Sequence, residues 1–254
     1  MTTGRTTLKN WRVYVDGYDM SGYSRSFGPL ATTFDEGVDD AVTLDVKAAM
    51  VGNAQVSMGT LNGLFDNTAT SGLHIVMKGA GVQRNVMIAG GIQAAPANND
   101  PVFCGQFNQL GYYGEPDNNP VYASIPFGGA HVNSGNLMYA KPWGALLHAK
   151  AARTAANTAT GLDQLASSAK GGWMMYQVFA GDGTAALKVQ HASTNSDGSF
   201  TDLLSSGTIS CASPVADMVA LANGTSVNRY VRWQIALGTA TTVTFAIAFM
   251  RGTI

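Results

Sequence analysis

Charged residues are scarce in this chain and make up 12% of its 254 residues, which is roughly half the share in an average globular protein. The formal net charge is only −1, so the sequence lacks the basic surface that general binding to nucleic acid requires. A surface with few charges and many small polar residues disfavours the monomeric state. This composition fits a subunit that covers its faces with neighbours, and it fits equally an ordinary β-rich protein with uncharged polar loops.

Cysteine and long apolar runs are also scarce. Cys104 and Cys211 lie far apart and form no CxxC or Cys/His cluster, which excludes a disulfide framework and a recognisable zinc site. We expect both to be buried and to act as small hydrophobic side chains. No run of apolar residues approaches the length of a membrane-spanning helix, and the first residues lack the apolar core of a signal peptide. The sequence therefore predicts a protein that is made and kept in a cytosol.

Signatures of enzyme chemistry are missing as well. The sequence contains no phosphate-binding loop, dinucleotide fingerprint, paired-histidine zinc helix or nucleophile elbow. None of its four histidines has an acidic residue, a cysteine or a second histidine at a spacing that suits a helical site. We therefore predict no enzyme activity, no catalytic or metal-binding residue and no cofactor.

The sequence does contain many segments in which apolar and polar residues alternate, a pattern typical of half-buried β-strands. Such segments predict a mainly β fold, with residues 50–72 read as a strand that carries a bulge because their glycines disfavour a helix. The Gly79–Gly81 turn predicts a hairpin between its two flanking segments. For Trp143–Ala156, a strand is favoured over a helix. The predicted strands include Trp11–Val15, Val42–Lys47, His74–Lys78, Asn85–Ala89, Val102–Phe107, Trp143–Ala156, Trp173–Ala180, Leu187–His191, Val227–Ile235 and Thr242–Phe249.

A linker-like stretch at Asn133–Asn136 separates two predicted domains. The first domain comprises residues 1–138, and the second, residues 139–254, is an antiparallel β-sandwich. In its last strand, Val243, Phe245 and Ile247 fall on one face together with Phe249, as expected for a strand with one buried face.

Acidic residues concentrate in one polar segment of the first domain, Thr32–Asp40, which we interpret as a loop or hairpin tip. Two interpretations of its charge remain open: a solvated loop, or a patch that is kept negative to repel a polyanion. The acidic residues are Asp35, Glu36, Asp39, Asp40 and, shortly after the segment, Asp45.

One arginine is predicted to lie on an apolar strand face. Strand alternation places Arg229 on the side of Val231 and Trp233, where a guanidinium group needs a carboxylate, a carbonyl or an aromatic partner. That partner lies either inside the chain or on a neighbouring subunit. Arg12 and Arg25 are candidates for the same kind of subunit contact.

The opening segment Arg12–Ser24, which reads Arg-Val-Tyr-Val-Asp-Gly-Tyr-Asp-Met-Ser-Gly-Tyr-Ser, resembles the first strand and turn of the major tail tube proteins of long-tailed bacteriophages. The segment from Leu187 through Asn228–Trp233 to Gly252 is similar to the sandwich of phage virion proteins. The resemblance implies a tail-tube-like β-barrel or sandwich domain followed by an additional C-terminal β-sandwich domain, because simple tube proteins are shorter than this chain.

The same resemblance implies a structural virion protein, assembled in the host cytoplasm, whose copies form stacked rings, commonly hexamers, around a channel for DNA delivery. Its partners would be further copies, other tail or head proteins, and DNA that passes without specific binding. The acidic residues would then line the channel or touch the next ring. Two alternatives remain open: a capsid decoration protein, and a carbohydrate-binding or hydrolytic jelly-roll module that would use an exposed row of aromatics. The only candidates for such a row are Trp143, Trp173 and Tyr176, which we expect to be core residues.

Overall fold

A computed structural model describes residues 7–39, 48–92, 94–116, 120–130 and 142–252. For residues 36–39, 48–54 and 130 the description covers the backbone alone. The described residues form nineteen strands, one α-helix and two short 3-10 helices at Leu8–Asn10 and Asp197–Ser199. The strands and the helix, in chain order, are β1 (Trp11–Val15), β2 (Tyr18–Asp19), β3 (Ser24–Ser26), β4 (Leu30–Asp39), β5 (Ala48–Met58), β6 (Thr60–Leu64), α1 (Leu73–Met77), β7 (Val82–Gly90), β8 (Pro101–Gln109), β9 (Tyr113–Glu115), β10 (Tyr122–Ala130), β11 (Trp143–Arg153), β12 (Leu162–Asp163), β13 (Gly172–Gly181), β14 (Thr184–Ala192), β15 (Thr201–Ser205), β16 (Ile209–Ser210), β17 (Val215–Ala220), β18 (Tyr230–Leu237) and β19 (Val243–Arg251).

The mainly β fold is confirmed, and all strand pairs among the described residues are antiparallel. The prediction of a strand rather than a helix at residues 143–156 is confirmed by β11, in spite of its alanines. The predicted bulge is also present, because the pairing of β4 with β5 shifts register opposite Gly52 and Asn53. The predicted strand Val42–Lys47 lies outside the described residues.

Two predictions about local structure were wrong. The described part of the segment predicted as a loop or hairpin tip, residues 32–39, is a strand, because residues 30–39 form β4 and pair along their length with β5. His74–Lys78 is not half of a hairpin, because residues 73–77 form α1. Leu73 and Met77 are four residues apart and are both fully buried, which is the spacing of one helix face. The strand partner of β7 is instead β8 on one side and β1 on the other.

The larger sheet contains fourteen strands, of which eight form the continuous order β17-β13-β19-β11-β8-β10-β5-β4. The smaller sheet contains five strands in the order β12-β18-β14-β15, with β16 beside β14. Strand β10 connects two groups of strands in the N-terminal half. It pairs with β8 and β5, and it also pairs with β6 and β9.

Two hydrophobic cores lie on opposite faces of the layer formed by β11, β13 and β19. On β13, Trp173 and Met175 belong to the first core, whereas Met174 and Tyr176 belong to the second. The first core also contains residues of β1, β7 and β8, and the second contains residues of the smaller sheet. A strand that is buried on both faces has a nearly continuous apolar sequence, which accounts for the run Gly172–Val178, whose residues are all buried.

The proposed division at residues 138 and 139 lies outside the described residues. On its two sides, β8 and β11 pair directly, with Phe103 opposite Trp143. The first core likewise contains side chains from both sides, including Val13 and Met250.

Candidate assembly surface

The base of the hairpin formed by β4 and β5, which we call the ribbon, is anchored in the N-terminal half. Val56 and Met58 are buried, and Leu30 packs against the first core. The Gly59 amide donates a hydrogen bond of 2.9 Å to the Pro29 carbonyl. A side chain at Gly59 would collide with the Gly28 carbonyl, so only glycine allows the two strands to meet this closely here.

Beyond its base, the described strands of the ribbon pair only with each other. Its pairing with β10 is confined to Ser57 opposite Gly129, and β4 is the last strand in the order of the described sheet. Phe34 is 48% exposed and Asp35 is also exposed. Because each strand residue advances the chain by roughly 3.3 Å, the part of β4 from Thr33 to Asp39 extends for about 20 Å.

Three of the five acidic residues that the sequence singled out lie on strand β4 of the ribbon. Asp35 is an exposed residue of β4, and Glu36 and Asp39 lie on the same strand, opposite Val51 and Ala48. Asp40 and Asp45 lie outside the described residues. In the sequence from Leu30 to Met58, Lys47 is the only basic residue. The ribbon therefore carries a strong negative charge for its size.

The three predicted contact arginines lie on separate elements, and each guanidinium group has a partner within the chain. Arg12 on β1 donates hydrogen bonds to the carbonyls of Lys9 and Trp11 at 3.0 and 2.8 Å. Arg25 on β3 stacks over the ring of Tyr122 at 4.6 Å. None of these contacts among the described residues joins the three arginines to the ribbon.

Arg229 does not share a face with Val231 and Trp233. The prediction from strand alternation was therefore wrong for this residue. It precedes β18, is exposed, and forms two hydrogen bonds of 2.7 and 2.6 Å with the carboxylate of Asp163. These bonds lower the pKa of the Asp163 carboxyl to about 2. The buried guanidinium group of this strand is that of Arg232, which is 5% exposed.

Arg232 was missed because it lies on the face that alternation assigns to solvent. Residues 157–161 and the short helix at Asp197–Ser199 cover that face, so Arg232 donates to the Ala159 carbonyl at 2.8 Å and to the Asp197 carboxylate at 2.5 Å. It also lies over the ring of Phe200 at 4.2 Å. No local sequence pattern predicts that Arg232 is covered, because the segments that cover it are distant in the sequence.

Gln177 was also missed, although the sequence contained a signal for it. It is the only polar side chain in the buried run Gly172–Val178, and a buried amide needs hydrogen-bond partners. Its oxygen accepts a hydrogen bond of 2.6 Å from the Gly17 amide, and its nitrogen donates one of 3.0 Å to the Asn85 carbonyl. Gln177 thereby fixes the turn between β1 and β2 against β13.

The two cysteines and His148, which could in principle take part in chemistry, lie in the interior of the protein. Cys104 and Cys211 are buried and unpaired, as expected. His148 is fully buried, and its Nε2 accepts a hydrogen bond of 2.7 Å from Arg153. Within the described ranges no group of three or more His, Cys, Asp or Glu residues could hold a metal ion, and no helix is both long enough and apolar enough to cross a membrane. His131 lies outside these ranges.

The aromatic residues considered for carbohydrate binding do not form an exposed row. Trp173 and Tyr176 are 1% and 3% exposed, as expected of core residues. Trp143 differs from that expectation, because it is 37% exposed and packs edge-on against Trp11 and Phe103.

Comparison with known proteins yields a similar solved structure. No protein-family model matches the chain, and no curated protein matches it. A match with the SPP1 Dit protein covers 96% of this chain and 99% of Dit, at 9% sequence identity and a TM-score of 0.34. The crystal structure of Dit is described as a paradigm of the hub adsorption apparatus in phages that infect Gram-positive bacteria. A TM-score of this size does not establish a shared fold.

Proposed function

We propose that this chain is a structural subunit of a phage tail, whose copies assemble into stacked rings around a channel for DNA. The observation that carries the proposal is the ribbon, whose outer strand β4 ends the order of the larger sheet and has no partner besides β5 among the described strands. The assembly into stacked rings is the one that the resemblance of Arg12–Ser24 to tail tube proteins implies.

An isolated two-stranded ribbon is at best marginally stable in water, and an unpaired strand edge readily pairs with another chain. Phe34 adds an exposed aromatic side chain to this edge. Pairing of ribbons from neighbouring copies would give each strand two partners, and closure of the ring would remove the free edges altogether. A head-to-tail interface of this kind generates rings when its rotation closes. The six-fold symmetry is the one that the tail-tube resemblance implies.

The charge of the ribbon suits a channel through which DNA passes. In a closed ring of ribbons, Asp35 and the other acidic residues would repeat around the channel, and a negative wall repels the phosphate backbone. DNA would then move along the channel without specific contacts. In this function the chain needs no catalytic group and no cofactor, and its location is the virion, reached after assembly in the host cytoplasm.

Electron microscopy and sedimentation of the purified protein test the assembly. We expect rings or tubes at high protein concentration, and we expect Phe34→Asp to abolish them while the fold is retained. The matched control is Leu165→Asp, which introduces the same charge at an apolar residue that is 82% exposed and does not belong to the ribbon. Rings that persist in Phe34→Asp would contradict the role of the ribbon. Monomers that bind to emptied phage heads would favour capsid decoration instead.

The channel wall is tested separately with Asp35→Lys. Tubes of this variant should retain DNA fragments at low salt, whereas wild-type tubes should not, because each added cation neutralises a phosphate and releases counterions. The retention should fall steeply as salt is raised. Equal retention by variant and wild-type tubes would show that Asp35 does not face the channel.

A further inference from the structure

We propose that a cleft between the two halves of the molecule is a binding site for a neutral saccharide. The cleft has a volume of about 410 Å³, within the range of roughly 300–1,000 Å³ that is common for small-molecule sites. Its walls come from the β1–β2 turn, the loop before α1, and strands β11 and β13. The lining includes Tyr18, Asp19, Tyr23, Thr70, Lys150 and Phe179.

An ion pair lies in the cleft beside an aromatic ring. The Lys150 ammonium is 2.7 Å from the Asp19 carboxylate and 4.7 Å from the centre of the Phe179 ring. The side chains of Lys150 and Asp19 are 34% and 28% exposed, so both can be reached by a ligand. Asp19 is also held by the Ser21 amide at 3.1 Å, and Phe179 is fixed edge-on against buried Tyr14 at 4.8 Å. These contacts hold both groups in place before a ligand arrives.

Hydroxyl groups complete the lining. Tyr18, Tyr23, Thr70 and Ser71 all line the cleft, and within the described part of the chain none of their hydroxyls has a hydrogen-bond partner. Thr70 adopts a φ of 71°, a left-handed conformation that is costly for a β-branched residue. Such strained residues cluster at ligand sites, where the surrounding structure imposes the conformation.

The chemistry of the lining selects the class of ligand. An anion would be attracted by Lys150 but repelled by Asp19, and a cation would meet the opposite balance, so the pair favours a molecule without net charge. Donors and acceptors side by side suit neighbouring hydroxyl groups, because hydrogen bonds to charged partners are the stronger ones. Tyr18, Tyr23 and Phe179 add apolar area to the lining, which suits the C–H groups of a sugar ring, and the two tyrosines add a polar tip. A pyranose combines these three properties.

Saturation-transfer NMR with wild-type protein tests the site, because the method also works with large assemblies. The probes are the methyl glycosides of glucose, galactose, N-acetylglucosamine and rhamnose, with acetate and inorganic phosphate as charged competitors. We expect transfer to at least one glycoside, with millimolar affinity, and no displacement by either anion. Absence of transfer to every glycoside, or displacement by an anion, would overturn the proposal.

Variants locate the binding. Lys150→Met keeps the length of the side chain and should weaken the affinity roughly tenfold, because a hydrogen bond to a charged group is lost. Tyr18→Phe removes one hydroxyl and should weaken it less. The matched control is Lys188→Met, which breaks the ion pair between Lys188 on β14 and Asp202 on β15. Neither residue lines the cleft, so this variant should bind as wild type does. Unchanged binding in both cleft variants, or equal loss in Lys188→Met, would refute this location.

The saccharide site and the proposed tail function fail separately. Lys150→Met leaves the ribbon untouched, so its rings should form as in wild type. Phe34→Asp leaves the cleft untouched, so its affinity for the glycoside should be unchanged.

Discussion

The layer of β11, β13 and β19 and the ribbon of β4 and β5 are both built from long antiparallel strands, yet they differ in what covers them. Met174 and Met175 on β13 point to opposite cores and are both fully buried. Beyond its base, the ribbon exposes Phe34 and Asp35. Strand geometry is thus common to both regions, but only the first derives its stability from packing within one chain. The ribbon needs coverage that a neighbouring copy can provide.

The largest expected difference between the two regions is in amide hydrogen exchange. Amides of β13 and β19 should exchange only through global unfolding, whereas amides of β4 beyond Thr33 should exchange through local opening at nearly no free-energy cost. With global stability of roughly 5–15 kcal/mol, protection in monomeric protein should differ by several orders of magnitude, as measured by mass spectrometry. Assembly should slow the exchange of β4, and unchanged exchange in assembled rings would remove the ribbon from the interface.

Truncation of one phenylalanine in each region tests the same contrast energetically. Phe249→Ala, at a side chain that is 1% exposed, should lower the free energy of unfolding by roughly 3–5 kcal/mol, because it leaves a cavity between packed strands. Phe34→Ala should change it by less than about 0.5 kcal/mol in the monomer. Denaturant titration of both variants at low protein concentration gives the two values. Similar losses would mean that the ribbon packs within its own chain.

Two arginines near β18 test whether the burial of a side chain or its residue type determines how much it stabilises the fold. Arg232→Met should cost roughly 3 kcal/mol, because Arg232 is buried and its loss leaves the Ala159 carbonyl and Gln190 without their donor. Arg229→Met should have a much smaller effect on the denaturation midpoint, because the Arg229–Asp163 pair is exposed and solvated. A larger loss in Arg229→Met would contradict this order.

A pH titration gives the smallest of these effects and concerns the inner layer alone. Burial and, secondarily, the charge of Arg153 lower the pKa of His148 to about 4, whereas the unfolded chain has an ordinary value near 6.5. Between these values the unfolded state binds a proton that the folded state does not. Stability should therefore fall by about 2 kcal/mol as pH is lowered from about 7 to about 4.5.

His148→Gln should remove most of this dependence when unfolding is measured across the same pH range. His191 has a lowered pKa for the same reason, burial, but it is only partly buried, so His191→Gln should remove less. A pH dependence that survives in His148→Gln would assign the effect to other groups.

Much of the sheet could be predicted from period-two alternation, because that pattern reports which strand face is buried. It predicted β1, β14 and β19. It failed where a long-range partner decided the structure. The polar composition of Thr32–Asp40 indicated a loop, but backbone pairing with β5 does not depend on apolar side chains. The Gly79–Gly81 turn predicted a strand at His74–Lys78, yet the burial of Leu73 and Met77 favoured one helical turn.

The candidate sites divide in the same way. The acidic residues of the ribbon were visible as a local excess of Asp and Glu. The cleft was not, because Asp19 and Lys150 are separated by 131 positions and no local pattern connects them. Alternation also placed Arg229 on the apolar side and Arg232 on the open side, and the loops that cover Arg232 reversed their burial.

The sequence by itself determined that the chain is built from β-strands, that its surface carries few charges, and that the acidic residues concentrate in one segment, because composition and periodicity are local properties. Only the tertiary structure decided which strands are covered on both faces, which arginine is buried, and that the acidic segment up to Asp39 is a strand whose outer edge has no partner among the described strands. The physical reason is that burial and hydrogen-bond pairing depend on residues far away in the chain, and alternation within a strand carries no information about them.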